Sequence, residues 1–172
     1  MIRIATIDDL NSVMIVINDA KELFRKDGSD QWQDLDNYPN EKTLLEDINK
    51  NQLYVKLKNN EIVGCVVLSK ELEECYNNIY DGHWEVEDDY MVIHRIAVRK
   101  DSYRMGIGYE LINEMINIAK YNQVKAIKID TKSENLRMKA LLNKVGFKEV
   151  GKVQLLRNDC LDKERVVFEF VL

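Results

Sequence analysis

Apolar residues recur along this chain in two rhythms. Some return every three to four positions, and others come in short, nearly unbroken runs, and the alternation of the two lays out the elements. A short strand is expected over 2–5. Thr6 then caps a helix, with Asp8 and Asp9 in its first turn and Leu10, Val13, Met14, Ile17, Ala20 and Phe24 on its buried stripe, and Gly28 ends it. Residues 29–40 form a loop with Trp32, Tyr38 and the single proline, Pro39. Asn40 caps a second helix that turns Leu44, Leu45 and Ile48 inward. Strands over 53–58 and 62–69 are joined by Asn59-Asn60, a hairpin signal. A polar stretch over 70–89 leads to an apolar strand over 90–98, and a long helix follows with Leu111, Ile112, Met115, Ile116, Ile118 and Ala119 on one face. A strand over 126–131, a helix over about 134–144 and strands over 148–156 and 165–172 complete the chain. The order β-α-α-β-β-β-α-β-α-β-β has no linker or repeat and predicts one mixed α+β domain over 1–172.

Composition narrows the function classes. A chain of 172 residues is long enough for a single sizeable core. The net charge of −5 argues against general nucleic-acid binding, which rewards clustered Lys and Arg. No apolar run reaches bilayer length, and the N-terminal residues lack a charged-then-apolar signal pattern, so neither a membrane nor an export role is expected and a cytoplasmic location is. Cys65, Cys75 and Cys160 are odd in number and widely spaced, which suits neither a metal site nor a disulfide framework. No metal is expected.

Between the strand over 90–98 and the long helix lies Tyr103-Arg104-Met105-Gly106-Ile107-Gly108. A helix N-terminus offers unpaired N–H groups and the positive end of the macrodipole, and glycines ahead of it remove side chains that would keep a phosphate away. The unit therefore suits a pyrophosphate. It is not a Walker A loop, because Tyr109 and Glu110 follow Gly108 where Lys and Ser/Thr are needed. It is not a dinucleotide fingerprint either, because Leu111 stands where a third small residue belongs. On these residues alone, a phosphate cradle and a tight strand-to-helix turn both remain open.

Ile93-His94-Arg95-Ile96-Ala97-Val98, a short polar loop and Arg104-Met105-Gly106-Ile107-Gly108 together resemble the acetyl-CoA motif of the GNAT superfamily of acyltransferases. Ile127-Lys128-Ile129-Asp130-Thr131, Asn135 and Leu141-Leu142-Asn143-Lys144-Val145-Gly146-Phe147 resemble that family's next strand and helix. The opening Ile2-Arg3-Ile4-Ala5-Thr6 with Asp8-Asp9-Leu10 resembles its start. The resemblance implies the GNAT fold, a mostly antiparallel twisted sheet of about seven strands with about four helices. It also implies acetyl-CoA as acetyl donor and direct transfer to a primary amine of a small molecule or peptide. Within it, the backbone of Ile96 and Val98 pairs with the pantetheine arm. The N–H groups of Arg104, Met105, Gly106, Ile107, Gly108 and Tyr109 bind the pyrophosphate, and Asn135 contacts the cofactor. Tyr103 departs from the family's usual Gln or Arg, and the adjacent Arg104 is expected to supply that cation.

For chemistry, the resemblance points to His94 as proton relay. The residue-level alternative is a structural histidine beneath the sheet. Period-two alternation sets His94 on one face with Val92, Ile96 and Val98 and turns Arg95, read as structural, to the other. Leu142 stands where many members carry a tyrosine that protonates the departing thiolate, so another tyrosine (Tyr38, Tyr90 or Tyr103), water or nothing serves instead. Residues 71–89 hold eight acidic side chains and neither Lys nor Arg, a solvated loop or a rim that attracts a cationic amine. Trp32, Tyr38 and Trp84 are the candidate acceptor contacts, with a lid or core role as the alternative. Transfer from another acyl-CoA, protein N-terminal acetylation and a non-catalytic CoA-binding module are the rival functions, and a homodimer stays open.

Overall fold

A computed structural model describes residues 1–157 and 162–172, so Cys160 lies outside the described residues. The elements follow the expected order: β1 (Ile2–Ile4), α1 (Leu10–Lys26), α2 (Glu41–Asn49), β2 (Leu53–Lys58), β3 (Glu61–Ser69), β4 (Tyr90–Val98), α3 (Ile107–Tyr121), β5 (Ala126–Thr131), α4 (Leu136–Val145), β6 (Lys148–Gln154) and β7 (Glu164–Val171). Local chemistry sets several boundaries. The Asn40 side chain accepts from the Thr43 N–H at 3.1 Å and starts α2. Asn59 and Asn60 both take positive φ, the twist a tight hairpin requires. Helix α4 begins at Leu136 rather than 134 because Asn135 is its cap, accepting from the Met138 N–H at 3.2 Å. Helix α1 is entered through a short 3-10 turn, Ile7–Asp9, where Asp9 accepts from the Thr6 N–H and pairs with Arg3 at 2.7 Å.

The seven strands form one sheet in the order β1-β2-β3-β4-β5-β7-β6, with β4 and β5 parallel. The pairs β1–β2, β2–β3, β5–β7 and β6–β7 are antiparallel, the mixed α+β architecture expected. The chain divides into two compact units, Met1–Leu68 with Arg95–Glu114, and Ser69–His94 with Met115–Leu172. The first has a core of Val13, Val16 and Ile17 from α1, Leu44 and Ile48 from α2, and Leu53, Val55, Cys65, Val67 and Ala97 from the strands. In the second, Cys75, Tyr76, Trp84, Tyr90, Val92, Ala126, Val153 and Val167 pack together.

The stretch over 70–89 is more ordered than its polarity suggests. It contains a 3-10 turn, Glu74–Asn78, and buries Cys75, Tyr76 and Trp84. Those apolar residues follow neither a helical nor a strand period, so pattern reading passes over them. Its backbone is tied down by Glu169 of β7, whose buried carboxylate accepts from the Glu85 and Val86 N–H groups at 2.8 and 3.0 Å.

Beside this segment lies Lys128 of β5, which is 1% exposed, with its ammonium 4.1 Å from the Trp84 ring centre and 3.7 Å from that of Tyr90. Burial pushes its pKa down to about 8, against a smaller opposing pull from Glu169, Glu87 and Asp88. The folded pKa lies below the unfolded one, so folding disfavours the charged form. The penalty is full below the folded value and fades as pH rises towards the unfolded value. Lys128→Met is therefore expected to melt at or above the wild-type temperature near neutral pH. The difference between the two should shrink as pH rises from about 8 to about 10. Parallel melting curves across that range check this, and a constant difference contradicts it.

Candidate active site

In the first unit, the segment linking β4 to α3 is anchored before it reaches the helix. Arg99 pairs with Glu61 at 2.8 Å and with Asp101 at 2.9 Å. The buried Asp19 carboxylate of α1 accepts from the Lys100 N–H at 2.9 Å, and the Tyr103 hydroxyl donates to the Asp19 carbonyl at 3.2 Å. The backbone then takes two left-handed residues, Arg104 with φ +63° and Gly106 with φ +79°. Tyr103 ahead of them is extended, so these two residues carry the chain from extended backbone into the start of α3. Nothing lies within 4 Å of where a Gly106 Cβ would sit, so backbone conformation rather than crowding selects glycine there. The Met105 N–H is turned to the Ser102 carbonyl at 3.4 Å and the Glu110 N–H closes the first turn of α3 on the Gly106 carbonyl at 3.0 Å, which leaves the Gly106, Ile107 and Gly108 amides at the open end of the helix. Arg104, Met105, Gly106 and Tyr109 are exposed, Gly108 is half-buried in the first turn and Ile107 is buried. Positive charge stands nearby on β2, where Lys56 pairs with Glu110 and the Lys58 ammonium lies 3.3 Å from the Met105 sulfur. An exposed, amide-rich turn at a helix N-terminus fits a diphosphate by the chemistry of its donors.

Upstream of this turn, β4 does not run straight. Its parallel ladder with β5 comprises Tyr90, Met91 and Val92. At Arg95 the backbone becomes left-handed, with φ +49°. For a residue with a Cβ that conformation costs about 1–2 kcal/mol and persists only where the surroundings impose it. It also corrects an expectation, because strict alternation cannot carry from His94 to Ile96 and Val98 through a left-handed residue, so their shared face no longer follows from period two. Ala97 packs into the core, while Ile96 and Val98 are half-buried. The Arg95 guanidinium donates to both Asp47 oxygens, from Nε at 2.8 Å and from Nη2 at 2.7 Å, and from Nη1 to the Tyr38 hydroxyl at 2.8 Å. Tyr38, an acceptor candidate, therefore has its hydroxyl engaged by Arg95. Trp32, the second candidate, sits edge-on to Phe24 with ring centres 5.4 Å apart and packs against the core of this unit.

The second unit holds the remaining candidates. His94 Nε2 lies 3.1 Å from Glu73 Oε1, and the imidazole is largely buried. The Tyr76 hydroxyl donates to Asp130 at 2.8 Å. Burial above all, then the Asp130 and Glu73 charges, raises the Tyr76 pKa well above that of an ordinary tyrosine. Trp84 is 9% exposed, donates from Nε1 to the Tyr76 carbonyl at 2.9 Å and belongs to the core, which suits packing better than contact with an acceptor. Asn135 uses its carbonyl oxygen as the α4 cap and its amide to donate to Thr131 Oγ1 at 3.1 Å. Leu142 is fully buried. Several of the acids over 71–89 are paired, Asp81 with Lys152 at 3.4 Å and Asp88 with Lys125 at 3.5 Å, so the stretch is not a uniform field of free carboxylates. Burial pushes the Cys65 and Cys75 thiols up to about 12, which leaves both protonated and unsuited to attack a thioester. The sequence does not point to Asp47 and shows Glu73 only as one acid of the 71–89 stretch, because nothing local marks either as the partner of Arg95 or His94. Among the described residues no His, Cys, Asp and Glu cluster could hold a metal ion, and no helix is long and apolar enough to cross a membrane.

Comparison with known proteins identifies the family. Residues 17–147 match the model of the acetyltransferase (GNAT) family. A GNAT-family acetyltransferase from Streptococcus agalactiae is 28% identical, with a TM-score of 0.89 over 100% of this chain and 95% of that one. The ribosomal-protein-S18-alanine N-acetyltransferase of Escherichia coli is 15% identical, with a TM-score of 0.68 over 99% of this chain and 92% of that one. For the ribosomal-protein-alanine N-acetyltransferase of Brucella melitensis the identity is 21% and the TM-score 0.68, over 100% of this chain and 99% of that one. At such identities the last two show a shared fold. No curated protein matches the sequence.

Proposed function

The chain belongs to the GNAT acetyltransferase family, and from that premise we propose that it transfers an acetyl group from acetyl-CoA directly to the primary amine of a small molecule or peptide. The observation that carries this reading is the turn at the start of α3, where left-handed Arg104 and Gly106 precede the open amides of the helix. Of the stretch from Arg104 to Tyr109 assigned to the pyrophosphate, the Gly106, Ile107 and Gly108 amides are the donors at the helix start, and Arg104 adds charge in place of the family's residue at Tyr103. Ile96 and Val98 offer backbone groups to the pantetheine arm, as one strand does to another. Asn135, the cap of α4, is the further residue assigned to the cofactor.

The bound donor supplies an activated thioester, so the protein need not provide a covalent nucleophile. Its task is to make the amine nucleophilic. An alkyl ammonium must lose a proton that costs about 4–5 kcal/mol to remove near neutral pH. His94 is the residue assigned to accept it, directly or through water. Its contact with Glu73 supports this, because a carboxylate facing Nε2 fixes the ring, keeps a proton on Nε2 and leaves Nδ1 as the acceptor. Leu142 can donate nothing, so the thiolate departs without protonation from that side chain. A thiol is acidic enough for this to be tolerable. Trp32, Tyr38 and Trp84 are the remaining side chains assigned to the acceptor.

Gly108→Glu places a carboxylate where the pyrophosphate belongs and is expected to abolish acetyl-CoA binding in calorimetry while the protein stays folded. Unchanged affinity would remove the cofactor assignment. CoA release measured against a panel of amines then reports the acceptor class.

The relay is tested separately. His94→Gln is expected to lower the maximal rate by roughly 10²-fold, with acetyl-CoA affinity nearly unchanged. The melting temperature should stay at the wild-type value. A structural histidine gives the opposite pattern, a lower melting temperature with acetyl-CoA affinity and rate falling together.

A further inference from the structure

We propose that Arg95 is a positioning residue for the cofactor. Clamped by Asp47 and Tyr38, its side chain holds the left-handed backbone residue from which Ile96 and Val98 are presented. The inference rests on the cofactor assignment above and adds what maintains the geometry that assignment needs. Among the described residues, Arg95 is the only non-glycine residue inside a strand with positive φ. Glycine is the residue that adopts such a conformation without a steric penalty, and here the chain uses a long charged side chain instead. That choice makes sense if the side chain does what glycine cannot, which is to tie the kink to its surroundings.

The tie is strong on three sides. Asp47 is 5% exposed and meets the guanidinium through two parallel hydrogen bonds, the geometry that suits arginine and not lysine. It is carried by α2 between Leu44 and Ile48, both core residues, so the carboxylate has little freedom to follow a moving partner. Tyr38 occupies the third face, and its own loop is fixed by Lys21. The Lys21 ammonium donates to the Asn37 and Pro39 carbonyls at 2.6 and 2.7 Å and to Asn37 Oδ1 at 3.0 Å. The Arg95 carbonyl is held as well, facing the Cys65 thiol at 3.8 Å. An ion pair serving stability alone has no reason to fall on the one left-handed residue of the strand that leads to the cofactor turn. A buried guanidinium that loses one partner is left with an uncompensated charge, so the clamp fails as a unit and the kink becomes free to relax.

The test uses the intact protein and calorimetric affinity for acetyl-CoA, with melting temperature measured on every variant. Asp47→Asn and Arg95→Lys are each expected to weaken acetyl-CoA binding about tenfold. Tyr38→Phe removes one hydrogen bond without stranding a charge and is expected to weaken binding about threefold, which keeps the proposal testable should Asp47→Asn fail to fold. The deciding variant combines Arg95→Gly with Asp47→Asn. Glycine takes the left-handed conformation unaided and no buried charge remains, so affinity should recover to within about threefold of wild type. A merely structural ion pair gives a different result, with melting temperature falling and affinity following it, and with the double variant binding no better than the single ones. Either that outcome or normal affinity in folded Asp47→Asn overturns the proposal. Wild-type protein that fails to bind acetyl-CoA overturns the cofactor assignment first and the clamp's role with it, and the two failures are thereby told apart.

Discussion

A guanidinium taken out of water must have its charge and its donors matched, and at Arg95 that requirement coincides with a break in strand geometry. The strand enters as an ordinary ladder partner of β5 at Tyr90–Val92 and reaches the turn before α3 after a left-handed residue. Asp47 and Tyr38 meet Arg95 there from a helix and a loop far away in sequence. Remove the match and either the charge must find water or the backbone must straighten. The conformation of the residues that follow thus depends on an interaction among side chains, not on any preference of the residues themselves.

The same logic recurs wherever this protein must hold irregular backbone still. Lys21 satisfies carbonyls of the loop before α2, Asp19 accepts from the Lys100 amide ahead of the α3 turn, and Glu169 collects two amides of the segment before β4. In each case a largely buried ionised side chain supplies hydrogen bonds that no helix or strand provides for these loop groups. Such groups cost free energy when buried alone but repay it when every partner is present. Lys128 is the exception, since its ammonium faces two aromatic rings and its depressed pKa records incomplete compensation.

Much of the fold was legible in the chain. The order of seven strands and four helices, the Asn59-Asn60 hairpin, the full extent of β4 and the cap at Asn40 all follow from local pattern and local hydrogen bonding. The segment before β4 was not legible as an ordered piece, because Cys75, Tyr76 and Trp84 are buried without periodicity. The candidate site was legible in part. The glycines at 106 and 108 and the residues around them marked the turn, whereas the left-handed state of Arg104, a residue of no special conformational tolerance, carried no local signal.

By itself, then, the sequence determined the elements, their order and the family resemblance, because period, capping and turn chemistry act over a few residues and are written in consecutive letters. Only the tertiary structure decided that His94 meets Glu73, that Arg95 meets Asp47 and Tyr38, and that β4 turns left-handed at Arg95. Partners 48 and 57 positions apart share no local rule that could announce them. Their pairing follows from which buried charges the packed core brings within reach, and that is settled only when the chain has folded.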